Sequence, residues 1–200
     1  MWGPSVPTGR EYQIQRENGA TMLDIPGGHF IDPLTYILGP ISSVSATLAT
    51  QFPTATVYDS SGKATGEIIH QNAPNQVAVT GVLASGAVMS IHLRSGMEVP
   101  ESKAALPFVW TIDGTKGTVR LENDHPMAMF VEMFPPSRLT LDDEEITIPE
   151  DGKTNEGRAW EEFLKGTGNG NYTDLDDALK IKAVIDAIWR SADEGSVVKV

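Results

Sequence analysis

The chain has 200 residues, a formal net charge of −12, a pI near 4.6 and no cysteine. That length suits one large domain, or at most two small ones, with a sizeable core. The acidic field repels nucleic acid and anionic membranes, so neither is expected as a partner. Without cysteine there is no disulfide, thiolate nucleophile or Cys-based metal site. No apolar run approaches the ~20 residues of a membrane span. The first residues carry neither a basic nor an apolar signal region, and a cytoplasmic protein is expected.

The first strand is expected where Tyr12, Ile14 and Arg16 alternate with polar neighbours. Met22, Leu23 and Ile25 then read as a strand end, broken by Pro26, Gly27 and Gly28 as a tight turn. Phe30, Ile31, Leu34, Ile37 and Leu38 recur at helical spacing, and Gly39-Pro40 closes that helix. A long β-rich region follows. Val44, Ala46, Leu48 and Thr50 alternate, and Ser85-Gly86 joins a hairpin of Gln76–Ala84 and Ala87–Arg94. A second hairpin turns at Gly114–Gly117, an apolar strand is expected at Met127–Phe134, and an edge pair surrounds Asp142-Asp143. The ending reads as a helix from Asn155 to Leu164, a long helix capped by Thr173/Asp174 and ended by Gly195, and a last strand. The order predicts an α+β fold: a large, mostly antiparallel, open-faced sheet with helices packed on one face.

His29 at the mouth of the first helix is the leading candidate for acid–base chemistry, because imidazole titrates near neutrality. Asp32 lies three residues on, one turn up the same side. Asp24 precedes the glycine pair. His92 and Arg94 share a strand face and suit a solvated or interfacial surface. His70 and His125 lack metal-ligand spacing, so no metal is expected. Trp110, Trp160 and Trp189 read as core residues.

Three motifs carry a resemblance. Asn18-Gly19-Ala20 runs through His29-x-x-Asp32 to Leu38-Gly39; Ile112-Asp113-Gly114-Thr115-Lys116-Gly117-Thr118 forms a hairpin; Asp177-Ala178-Leu179, Val184–Ile188 and Ser191-Ala192-x-x-Gly195 close the chain. In order and spacing they resemble the C-terminal domain of the glucose-fructose oxidoreductase/inositol dehydrogenase family, in its fungal, galactose-repressor-like branch. The resemblance implies a single substrate-binding and assembly domain over residues 1–200, with the family's N-terminal Rossmann domain absent. It implies a small polar organic substrate, sugar- or polyol-like. No cofactor is then expected on this chain, with NAD or NADP acting only if a Rossmann domain is supplied elsewhere.

The family's catalytic pair is Asp-x-x-x-His. Four residues before His29 stands Ile25, and Asp24 is one residue too far. In an extended strand that single step turns the side chain to the opposite face.

Three readings follow. The chain is the substrate-binding and oligomerisation domain of an oxidoreductase, and no dehydrogenase by itself. Alternatively it is a stand-alone, cofactor-independent isomerase, lyase or cyclase using His29, or a non-catalytic, repressor-like regulator. Apolar residues on both faces of the 76–94 hairpin further imply a homodimer that buries the open sheet face.

Overall fold

The computed structural model describes residues 2–96, 106–125, 127–128, 130, 133–134, 136–147 and 152–200. The chain divides into two compact units, Met1–Glu98 with Ala178–Val200, and Val99–Asp177. Among the described residues there are three α-helices and eleven strands, mostly antiparallel, in the α+β class.

In the first unit, β1 (Ser5–Pro7), β3 (Thr54–Tyr58) and β4 (Ala64–His70) form a small sheet in the order β1-β3-β4. Val6, Ala55 and Val57 bury against Ile14. The larger sheet has the order β11-β2-β5-β6, from β11 (Val198–Lys199), β2 (Ile41–Ala49), β5 (Gln76–Leu83) and β6 (Val88–Arg94). Strict alternation along β5 divides its faces. Val77, Val79 and Leu83 are buried, whereas Ala78, Thr80 and Val82 are exposed. Two helices cover the buried face. From α1 (Gly28–Leu38) come Phe30, Ile31 and Leu34; from α3 (Leu175–Glu194) come Val184, Ile185 and Ile188. Full burial of each such aliphatic side chain is worth about 1.5–3 kcal/mol.

The open face follows from register. Ser45 pairs with Thr80 and Thr80 with Ser90; Thr47 pairs with Ala78 and Ala78 with His92; Val82 pairs with Val88. Lys199 joins beside Ser43 and Arg94 beside Gln76. No carboxylate stands at any of these positions, in a chain with 27 acidic residues.

Both ends of α3 are fixed by side chains. Asp174 accepts from the Asp177 amide at 3.0 Å, the capping expected there. Past Gly195, whose φ is +61°, the Ser196 amide returns to the Ser191 carbonyl at 3.2 Å. The buried Ser191 hydroxyl donates to the Ser196 carbonyl and accepts from the Ala46 amide, tying the helix end to β2.

The second unit holds β7 (Phe108–Gly114), β8 (Gly117–Asn123), β9 (Arg138–Leu141) and β10 (Glu144–Glu145), ordered β10-β9-β8-β7. Asp142 and Asp143, at φ +51° and +68°, form the two-residue turn between β9 and β10. α2 (Asn155–Leu164) is capped by Thr154, whose hydroxyl accepts from the Gly157 amide at 3.1 Å.

Several expected strands are something else. Tyr12 to Arg16 lies in two short 3₁₀ turns, Glu11–Ile14 and Arg16–Asn18, because the amides of Gln13, Gln15 and Asn18 bond three residues back instead of across to a neighbour. The described part of Met127–Phe134 is a run of turns: Phe130 bonds back to Met127 and Met133 to Phe130. Trp160, expected in the core, is 65% exposed.

Gly81 is a steric requirement of the larger sheet. A Cβ there would stand 2.7 Å from both the Ser43 carbonyl oxygen and the Met89 Cε. The methionine can swing aside, but the β2 backbone cannot. Gly81→Ala should destabilise the protein by about 1–3 kcal/mol, seen as a lower urea midpoint at unchanged slope.

Candidate functional site

The stretch leading to His29 is helical throughout. Leu23–Gly27 forms a π-turn in which the Gly27 amide reaches back five residues to the Met22 carbonyl at 3.0 Å. It runs directly into α1. Both glycines have ordinary right-handed helical angles, with Gly27 at φ −63° and Gly28 at φ −60°. The turn reading of Pro26-Gly27-Gly28, and the strand end before it, are therefore corrected. What these glycines supply is closeness. A Cβ on Gly27 would sit 3.3 Å from the Leu23 and Leu93 side chains, and one on Gly28 3.4 Å from Ile185.

The π-turn also alters the relation of Asp24 to His29. An i→i+5 turn holds one residue more than an α-turn, the same excess that separates this Asp–His spacing from Asp-x-x-x-His. Asp24 lies in this turn and not on an extended strand, so the one-residue step does not turn it to an opposite face.

Asp24 is instead the hub of a surface network. Its Oδ2 accepts from the Thr21 amide at 3.0 Å and the Thr21 hydroxyl at 2.6 Å. Its Oδ1 accepts from the Trp189 indole Nε1 at 3.2 Å. The Arg16 guanidinium lies 4.2 Å above the Trp189 ring, a cation–π contact. The same guanidinium donates to both oxygens of Asp193, at 2.9 and 2.5 Å. Asp193 is held below the usual carboxylate range, chiefly by that hydrogen bond from Arg16. Arg16 is raised in turn, first by its bond to Asp193 and further by the charges of Asp193 and Asp24. The network fastens the segment before α1 to the last turns of α3.

His29 is exposed on the first turn of α1, and Asp32 is half-buried one turn on. Tyr36, one turn further along the same side, is 71% exposed. Below the π-turn an apolar void of about 10 Å³ is lined by Leu23, Phe30, Ile31, Val79 and Ile188 among others. It is too small for a ligand; His29, Asp32 and Tyr36 stand instead along the outer side of α1.

Sequence reasoning singled out Asp24 but missed its partners Thr21, Arg16 and Trp189. Trp189 lies 165 residues from Asp24, and no local spacing signals such a pair. His92 and Arg94 are exposed on the open sheet face. His125 shapes its own loop, its Nδ1 accepting from the Met127 amide at 3.1 Å while the ring stacks on Phe134. Among the described residues no group of three His, Asp or Glu side chains could hold a metal ion. None of the described helices is long and apolar enough to cross a membrane. A dinucleotide does not fit the glycine pair here: its backbone is packed helix, and an acidic side chain precedes it.

Asp24→Ala should cost about 1–3 kcal/mol, because it strands the Trp189 and Thr21 donors. Asp24→Asn keeps the Oδ1 acceptor for Trp189 and should cost less; urea unfolding of the two variants checks the order. Stability should also depend on pH through Asp193. Its folded pKa is depressed, so its contribution is present above the usual carboxylate range and lost as pH falls through the folded value. Arg16→Met should flatten that acid limb in thermal melts taken against pH.

Residues 1–123 match the family described as Gal80p, C-terminal domain. Over 125 residues the chain is 34% identical to a galactose/lactose metabolism regulatory protein of Kluyveromyces lactis, covering 62% of this chain and 26% of that one. Over 195 residues it is 26% identical to the dehydrogenase aclE of Aspergillus oryzae, covering 93% of this chain and 50% of that one. The fold is shared with a super-repressor mutant of Gal80p from Saccharomyces cerevisiae, with a TM-score of 0.79 and 21% identity over 100% of this chain and 55% of that one. It is shared also with levoglucosan dehydrogenase, with a TM-score of 0.69 and 21% identity over 98% of this chain and 55% of that one. The chain thus spans a quarter to a half of the curated relatives it matches. This protein belongs to the family of Gal80p C-terminal domains, related in fold to sugar dehydrogenases.

Proposed function

We propose that this chain is a small-molecule-binding and assembly domain that pairs with a second copy through the open face of the sheet β11-β2-β5-β6. The observation that carries this is the face itself. It is built of small hydroxyl and aliphatic side chains with His92, Arg94 and Lys199 on its edge strands, and its paired positions carry no carboxylate in a protein of net charge −12. Two-fold pairing places a patch against itself, so an acidic patch would repel its mate and this one does not. The three long strands, β2, β5 and β6, about 4.8 Å apart and seven to nine residues long, span about 380 Å². Two copies bring together about 760 Å² in projection, and side chains around the face must add the remainder of the ~1,000 Å² expected of a specific interface. Val88, 81% exposed at the hairpin end of the edge strand β6, is an apolar side chain that such a contact would cover.

His29, Asp32 and Tyr36 are the polar groups α1 offers to a sugar- or polyol-like ligand. Nicotinamide cofactor, NAD or NADP, enters this reading only through a nucleotide-binding half acting with this one, and the setting is the cytoplasm. The engagement of both Asp24 oxygens by Thr21 and Trp189 favours a regulator-like role over a dehydrogenase-like one. A carboxylate so held orients structure and is poorly placed to relay a proton.

Light scattering at micromolar concentration should give the mass of two chains, and Val88→Glu should halve it with the circular dichroism unchanged. A monomer mass for the unaltered protein would refute the assembly reading. Calorimetry should show no heat with NAD or NADP on this chain; micromolar binding would refute the division of labour proposed for the cofactor.

A further inference from the structure

We infer that Asn169 is a site of spontaneous backbone modification, converting through a cyclic imide to aspartate and isoaspartate, while the second Asn-Gly pair, Asn18-Gly19, is protected by its fold. The chain contains two Asn-Gly pairs. Glycine after asparagine leaves the following backbone nitrogen unshielded by a side chain. That nitrogen can attack the side-chain amide carbon if the asparagine is free to turn towards it.

Both asparagines are exposed, and the two pairs differ in the freedom of the asparagine side chain. The Asn18 side chain is tied, its Nδ2 donating to the Tyr12 carbonyl at 3.1 Å. The Asn18 amide bonds to the Gln15 carbonyl and the Gly19 amide to the Arg16 carbonyl, both at 3.2 Å. Gly19 sits in the left-handed region at φ +60° and leads into the buried residues Ala20 and Thr21. Attack there requires opening a turn anchored on both sides.

Asn169 is exposed in the loop between α2 and α3, and among the described residues its side chain has no hydrogen-bond partner. The Asn169 and Gly170 amides share one acceptor, the Gly166 carbonyl, each at 3.1 Å. With Gly170 held against α2, the untied Asn169 side chain is the part free to turn towards the Gly170 nitrogen.

The chemistry balances without a co-reactant other than water. The Gly170 nitrogen forms a bond to Asn169 Cγ, the Cγ–Nδ2 bond breaks, and ammonia leaves carrying the proton lost from the Gly170 amide. Water then adds to either imide carbonyl, giving aspartate or, with one more carbon in the main chain, isoaspartate. The loop is built to register that extra carbon. Gly170 packs so tightly on α2 that a Cβ would fall 1.9 Å from the Glu162 carbonyl oxygen, and the next amide, of Asn171, donates to Glu162 Oε2 at 2.9 Å. Lengthening the backbone at residue 169 moves both contacts and loosens the end of α2.

The folded full chain, held in mildly alkaline buffer and sampled over days, tests this by peptide mass mapping with isoaspartate-specific methylation. The peptide holding Asn169 should gain one dalton at least about tenfold faster than that holding Asn18, a ratio equal to the opening cost of one anchored turn. In denaturing urea the two rates should converge, and Asn169→Gln should abolish the fast event. Equal rates in the folded chain, a faster Asn18, or no conversion at either pair would overturn the inference.

Discussion

One face of the sheet β11-β2-β5-β6 has to be kept dry, and two helices distant in sequence do it. Val77, Val79 and Leu83 on β5 are buried only because α1 and α3 lie across them. Helices of 11 and 20 residues are not stable alone at such lengths unless an apolar stripe finds a partner. The sheet supplies that partner, and the helices supply the sheet's cover. Gly27 and Gly81 are small because this layer is thin: an added methyl group would stand 3.3 Å from the Leu23 and Leu93 side chains at Gly27 and 2.7 Å from the Ser43 carbonyl oxygen at Gly81.

The Asp24 network belongs to the same constraint. A π-turn leaves its backbone less regularly bonded than an α-helix, and the segment from Leu23 to Gly27 needs external support. Thr21 and Trp189 give it through one carboxylate, and Arg16 and Asp193 close a second link a turn further along α3. The exposed ion pair contributes little by itself. Its worth lies in being stacked on Trp189, which orders both groups. The surface that α1 presents, with His29, Asp32 and Tyr36, is therefore joined through the preceding turn to the last turns of α3.

The relatives divide into a regulatory protein and dehydrogenases on one fold. Fold alone does not choose between them. The choice rests on particular side chains, and Asp24 is the informative one. A carboxylate whose two oxygens both hold structural donors is an anchor. The pairing proposed for the open sheet face would serve either role, since it does not depend on chemistry at α1.

Local sequence determined a good deal. The alternation along β5 and β6, the Ser85-Gly86 and Gly114–Gly117 hairpins, the stop at Gly39 and the Asp174 cap are all short-range patterns, and each stands in the structure where the pattern placed it. The α+β class followed from the order of those elements, and the family from the motifs strung along them. Tertiary structure decided what such patterns leave open. Tyr12, Ile14 and Arg16 alternate like a strand, but no neighbouring strand takes their hydrogen bonds, so the segment coils into 3₁₀ turns. Pro26-Gly27-Gly28 has the composition of a turn, yet with Leu93 and Ile185 packed against them the same glycines lie within a helix. Asp24 could be named from sequence but not interpreted, because its meaning depends on Trp189, 165 residues away. A backbone pattern is fixed by its neighbours in the chain; the partner of a side chain is fixed only when the fold closes.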